Sequence, residues 1–243
     1  MRREMMIDEL DWDSNYFNLR CGKVDLTEED INSGALVDLA SRINQFDFVS
    51  IRCAGNFVET NYRITSELHA RLVDINIQLS KSIEQAPEPS DFRIIPSRDL
   101  DEDLFLQMKV LEKDYMYSKF VRDPHMRSRN AFNVYNEWIA NSKCFDDKYF
   151  AVKLVERRVA GFTLFRLVDN DVTLELVKVN EDFRGCGIAS ELMRGIDHFG
   201  SLRGCETARV GTQLDNLPAI NMYHKMGFRE VSRTFVYHCW NVD

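Results

Sequence analysis

Long apolar runs are missing from this 243-residue sequence: none approaches the roughly 20 residues that a membrane-spanning helix needs. The opening "MRREMMIDELDWDS" carries acids where a signal peptide would carry an apolar stretch. The expectation is a cytoplasmic protein with no membrane partner. A basic surplus is missing too. Lys and Arg number 31 against 39 Asp and Glu, a net charge of −8, which argues against nucleic acid as a partner but leaves room for a local phosphate pocket. Cys21, Cys53, Cys144, Cys186, Cys205 and Cys239 form no CxxC pair, so neither a zinc site nor a dense disulfide framework is expected, and free thiols are the simpler reading. His69, His125, His198, His224 and His238 have no metal-ligand spacing and make no arguable Ser/His/Asp triad, so no metal is expected.

Proline is scarce, and two of its five copies, Pro87 and Pro89, fall in "IEQAPEPSD" (Ile83 to Asp91). Two prolines stop any regular element, and a domain boundary is expected there, between 1–86 and 92–243. Upstream, Leu36, Leu39, Ala40 and Ile43 recur at helical spacing, while "FDFVSIRC" and "ARLVDINIQL" read as strands, a small α/β unit. No internal repeat is visible.

Downstream, "DFRIIP" reads as a strand. Leu104, Met108, Leu111 and Tyr115 mark one helix face, and "RNAFNVYNEWIANS" a second helix with Phe132, Tyr135 and Ile139 inward. "KYFAVKLVERRVAGFTLFRLVDNDVTLELVKVN" breaks at "ERR" and "DND" into three antiparallel strands. Ile188, Leu192, Ile196 and Phe199 then predict a helix, "TARVGTQ" a strand, the segment opened by Pro218 and closed by Gly227 another helix, and "EVSRTFVYHCW" a last strand. The fold class is α/β (α+β), a mixed and mostly antiparallel sheet flanked by helices.

Between the third of those strands and the next helix stands "NEDFRGCGIASELM". Glycines at a helix start usually mean that something must approach the backbone closely. A GxxxxGK[ST] phosphate loop is excluded because no lysine follows Gly187 at the needed spacing. The dinucleotide fingerprint is half present, and Glu206 sits near the distance its acid requires; but that acid should end a second strand, and this loop follows an antiparallel meander. The third pattern, [RQ]xxGx[GA], is matched by Arg184, Gly185, Cys186, Gly187, Ile188 and Ala189, and "NLPAINMYHKMGF" adds NxxAxxxYxxxGF with Asn216, Ala219, Tyr223, Gly227 and Phe228.

These two motifs, in order and with a strand between them, resemble the GNAT N-acetyltransferase superfamily. The resemblance implies a GNAT fold for 92–243, acetyl-CoA as co-substrate, and a diphosphate cradled by main-chain N–H groups of residues 184–189. It also implies that "LELVKVN" splays from its neighbour, freeing the main chain at Val177 and Val179, that Tyr223 is the general acid beside the sulfur, and that Asn216 meets the pantetheine or caps its helix. Glu175 is a candidate base, with a structural ion pair as the alternative. Cys186 has no identifiable histidine partner and is read as a small loop residue.

"LDWDSNYFNLRCGKVDL", "FVETNYRIT", "YMYSKFVRDPHM" and "NVYNEWIANS" resemble the bacterial TDP-fucosamine acetyltransferase group, with departures at Tyr16, Asn18 and Lys119. The implied acceptor is the amine of a nucleotide-linked amino sugar, with Lys119 and Arg122 meeting the diphosphate, Tyr117 or Phe120 stacking on base or sugar, and a homodimer as the assembly. Other small amines, a protein amino terminus, or a non-catalytic acyl-CoA sensor are the alternatives. An intact Tyr223 favours the enzyme.

Overall fold

Alternation along the strands and amphipathic spacing along the helices build one continuous sheet. The computed structural model describes residues 5–55, 58–84, 92–111 and 116–242. Its first half runs β1 (Asp8–Glu9), α1 (Asp11–Phe17), β2 (Cys21–Leu26), α2 (Glu28–Asn32), α3 (Ala35–Ile43), β3 (Phe48–Cys53), α4 (Val58–Glu67) and β4 (Arg71–Ser82). The second runs β5 (Phe92–Pro96), α5 (Glu102–Leu111), the single turns α6 (Lys119–Arg122) and α7 (Pro124–Arg127), α8 (Val134–Asn141), β6 (Lys148–Val155), β7 (Arg158–Val168), β8 (Asp171–Val179), α9 (Ile188–Ser201), β9 (Thr207–Gln213), α10 (Leu217–Lys225) and β10 (Arg229–Trp240). The boundary expected within Ile83–Asp91 falls mostly on residues 85–91, and Tyr115 on 112–115; both lie outside the described residues.

The strands stand in the order β1-β2-β3-β10-β4-β9-β8-β7-β6-β5. Two neighbouring pairs are parallel, β2 with β3 and β8 with β9; the other pairs are antiparallel. This order contains a repeat that the sequence does not display. The path β2, α3, β3, α4, β4 has the same sense as β8, α9, β9, α10, β10, and the two copies exchange their last strands. Thus β10 pairs with β3 and β4 pairs with β9, while β4 and β10 pair with each other along the middle. Topology survives where sequence similarity does not, because it needs only apolar alternation and helical spacing.

One face of the sheet packs against the helices of both copies. Leu36, Leu39 and Ile43 of α3 meet Ile51, Phe235 and Tyr237, and Ile188, Leu192 and Ile196 of α9 meet Leu79, Phe165 and Val210. Burying each such aliphatic side chain contributes about 1.5–3 kcal/mol, enough to set the helix positions. The opposite face is covered at its two ends. Leu104, Met108, Tyr135 and Ile139 of α5 and α8 cover Phe150, Phe162 and Leu176. At the other end, Phe17 of α1 and Phe120, Val121 and Met126 of α6 and α7 cover Phe48.

Phe132 corrects the sequence reading. It is 43% exposed, whereas Tyr135 and Ile139 are buried as expected. It lies in a 3-10 turn, Ala131–Asn133, ahead of α8, so the helical phase does not reach it; Ala131 and Val134 take the inward positions instead.

Candidate active site

The parallel ladder of β8 and β9 runs from Asp171↔Thr207 to Leu174↔Val210 and stops there, although β8 continues to Val179 and β9 to Gln213. Side by side with that parting, β8 carries an irregularity against β7: Leu164 faces Leu176 and Phe165 faces Leu174, leaving Glu175 as the extra residue. A bulge of this kind bends and twists its strand. The splay expected at Val177 and Val179 is therefore present, with one peptide edge of β8 turned from its former partner.

The glycine loop follows. Gly185 and Gly187 have φ of +79° and +82°, and a Cβ at either would meet nothing within 4 Å. Their reason is conformational: the left-handed region costs an ordinary residue roughly 1–2 kcal/mol. Gly187 is the N-cap of α9 and supplies no side chain to cap it; the bond from Glu191 N–H to the Gly187 carbonyl (3.1 Å) opens the first turn. The amides ahead of Glu191 are left for something else, and the positive end of the helix dipole favours an anion there. A groove of about 650 Å³ runs along them, lined by Val177, Val179, Arg184, Gly185, Gly187, Ile188 and Ala189, with cations at Lys178, Arg184 and Lys225. Cys186 is exposed beside it, its Sγ 3.8 Å from the Arg184 carbonyl.

Tyr223 is buried at 4% exposure, its ring 5.5 Å from that of Phe228. Asn216 caps α10, its Oδ1 accepting from Ala219 N–H (3.3 Å) while its Nδ2 donates to Thr212 Oγ1 (3.2 Å), so capping is its observed contact. Val177, Asn216, Ala219 and Met222 line both this groove and a second cleft of about 750 Å³, which also includes Tyr223 and Glu175. The two cavities meet at the parted strands.

Four substrate candidates separate in space. Lys119 and Phe120 line the second cleft, whereas Tyr117 lines the groove. Phe120 is 4% exposed, with its ring 5.9 Å from Phe17 and 6.3 Å from Trp138, so most of it belongs to the core. Arg122 is ion-paired with Asp215 at 2.7 Å. Glu175 has both carboxylate oxygens near cations, Oε2 2.7 Å from Lys148 Nζ and Oε1 3.5 Å from Arg166 Nε.

Several cleft residues escape sequence reasoning. Asp74, Asn76 and Gln78 alternate along β4 on the floor, with Arg52 of β3, Thr234 of β10 and Gln213 of β9 beside them; Phe120, Tyr135 and Trp138 form a wall. The Gln78 amide donates to Asn76, and Arg52 holds Asp25 through two bonds of 2.6 and 2.8 Å. Burial pushes the Asp74 carboxyl up to about 6, against the pull of Lys119 and Arg122, and burial lowers the Lys119 ammonium. The available signal was the period-2 polar row in "DINIQ", which reads as a solvent face until β4 is known to lie mid-sheet.

Comparison with known proteins agrees with this geometry. Residues 110–228 match the model of the "Acetyltransferase (GNAT) family". A spore coat polysaccharide biosynthesis protein of Bacillus subtilis, SpsD, is 29% identical over 157 residues, 63% of this chain and 49% of that one. An N-acetylaspartate synthetase of Danio rerio is 32% identical over 87 residues, 35% of this chain and 31% of that one. The chain therefore spans half or less of the length of these curated relatives. A GCN5-related N-acetyltransferase from Sphaerobacter thermophilus shares the fold, with a TM-score of 0.61, 12% identity and coverage of 98% of this chain and 76% of that one. Glycine loop, parted strands and family match fall on the same elements, within residues 110–228.

Proposed function

We propose that this protein moves an acetyl group from acetyl-CoA to the amine of a nucleotide-linked amino sugar. The observation that carries the acceptor class is the second cleft: a floor of Asp74, Asn76 and Gln78 facing a wall of Phe120, Tyr135 and Trp138. Carboxylate and amide edges offer a sugar's hydroxyls both donors and acceptors, and aromatic faces suit its apolar C–H surface.

The uncapped amides of residues 187–190 and the cations Lys178, Arg184 and Lys225 fit a diphosphate, and the β8 edge at Val177 and Val179 fits an amide-bearing arm. Acetyl-CoA supplies an activated thioester there. Around it, this chain's residues do three things. The β8 main chain orients the acyl oxygen, the cleft presents the acceptor nitrogen from the far side of the parted strands, and Tyr223 gives its proton to the departing sulfur.

A carboxylate-rich acceptor such as aspartate fits less well, because Arg52 and Arg122 are already paired with Asp25 and Asp215. The test is thiol release from acetyl-CoA with nucleotide-linked amino sugars, free hexosamines, aspartate and a peptide amine as competing acceptors. Preference for aspartate or the peptide over every amino sugar sinks the acceptor assignment; acetyl-CoA binding with no amine acetylated favours the sensor alternative.

A further inference from the structure

Asp74 is 5% exposed, and its Oδ1 has no hydrogen-bond partner among the described residues. The Ile75 N–H lies against the same carboxylate, and Lys119 and Arg122 are the main cations acting on it, with Asp215 opposing them. No ion pair joins Lys119 to Asp74 among the described residues, although both line the cleft and each feels the other's charge. A buried carboxylate oxygen left without a donor is expensive and rare in a native protein, and calls for an explanation. A parted carboxylate and ammonium in one cleft leave room for a group that is donor and acceptor at once, which is what a hydroxyl is.

We propose that Asp74 and Lys119 form a specificity-determining pair for one acceptor hydroxyl, whose O–H donates to Asp74 Oδ1 and whose oxygen accepts from Lys119 Nζ. This rests on the amino-sugar reading above and adds which residues read the sugar. Asp74 comes from β4, and β9 stands between it and the opened edge of β8. The pair therefore meets the body of the acceptor and not the nitrogen that attacks. The first half of the chain, through its exchanged strand, thus supplies Asp74 to an acceptor pair completed by Lys119 of the second half. Desolvation of Asp74 is consistent with this: the carboxylate is largely ionised at neutral pH, and its Oδ1 lacks a donor until a ligand brings one.

The experiment uses the full chain with an amino-sugar nucleotide that the wild type acetylates, and a series of analogues each lacking one hydroxyl. Asp74→Asn is expected to raise the acceptor KM by roughly ten- to a hundredfold, the range for losing a hydrogen bond to a charged group. The KM of acetyl-CoA should stay within about twofold, since the groove that holds it is untouched. Lys119→Met should behave alike, and the double variant should lose less than the product of the two factors, because both read one group. One deoxy analogue should be poor for the wild type yet no poorer still for Asp74→Asn.

Unchanged acceptor KM in Asp74→Asn, with sugar acetylation intact, overturns the pair while leaving the proposed function standing; a buried water serving Oδ1 would give that result. Multiplicative single-variant losses also overturn it. Acetyl-CoA binding without acetylation of any amino sugar overturns the functional reading itself, and the pair with it. Thermal melts of both variants separate misfolding from altered recognition, and Asp74→Glu, which keeps the charge, is expected to recover part of the lost affinity.

Discussion

Leu174 of β8 faces Val210 of β9 as the last rung of their parallel ladder, and beyond that rung the two strands go on without each other. Tyr223 of α10 lines the cleft that opens there. If it protonates the leaving sulfur, Tyr223→Phe should lower kcat by roughly a hundredfold or more, the usual span for a positioned general acid. The acetyl-CoA KM should change little. Equal turnover of variant and wild type in a thiol-release assay removes Tyr223 from the chemistry.

Gly187 holds φ at +82° with open space where a Cβ would go. Gly187→Ala should cost about 1–2 kcal/mol from backbone conformation alone, and Gly187→Asn less, because asparagine tolerates that region. Acetyl-CoA affinity should fall with the same ranking, measured by calorimetric titration. An alanine variant as stable and as tightly binding as wild type would show that the loop does not need its left-handed turn.

Asp74 makes a prediction about stability that is independent of any substrate. Burial raises its folded-state pKa to about 6, above the unfolded carboxylate value, so folding favours the protonated form. The penalty is absent well below pH 4, grows as pH rises toward 6, and is complete above it. Lys119, Arg122 and Asp215 act on it, and Arg52, Asp25 and Glu175 are the other charges lining the cleft. Asp74→Asn should raise Tm by a few degrees near pH 7.5, corresponding to on the order of 2 kcal/mol, and leave it unchanged near pH 4. A lower Tm for the variant at neutral pH would mean that the carboxylate is already satisfied.

Asp123 ties the segment that carries Lys119 to the last strand. Its Oδ1 accepts from His125 N–H at 2.9 Å; its Oδ2 lies 2.5 Å from His238 Nδ1 and accepts from Trp240 Nε1 at 2.9 Å. Burial alone would raise its pKa, but the bonds from His238 and Trp240 hold it below the ordinary carboxylate value. Burial keeps His238 below its ordinary value despite the Asp123 carboxylate. Asp123→Ala should destabilise by roughly 3–5 kcal/mol, since it strands buried donors. A loss under about 1 kcal/mol by chemical denaturation would contradict this network.

Glu175 offers the sharpest choice between chemistry and structure. Its contacts with Lys148 and Arg166 suit a clamp on the β8 bulge. Glu175→Gln is then expected to lower kcat less than about tenfold and to lower Tm measurably. A drop beyond about a hundredfold, together with loss of the acidic limb of the pH–rate profile, would restore it as the base.

The sequence by itself determined what depends on neighbours along the chain. Gly185 and Gly187 before an apolar-periodic helix, Asn216 three residues ahead of Ala219, and the alternation of β6 through β8 are local signals, and each appears where its residues require it. Tertiary structure alone decided where the unused faces meet. Asp74 gains its role because β4 crosses into the other half's sheet, and nothing in "DINIQ" encodes which strands lie beside it. Phe132 falls outward because a turn of 3-10 helix breaks the phase that spacing implied. The difference is physical: backbone conformation and capping are fixed by a few adjacent residues, whereas strand exchange and cleft lining are fixed by burial summed over segments more than a hundred residues apart.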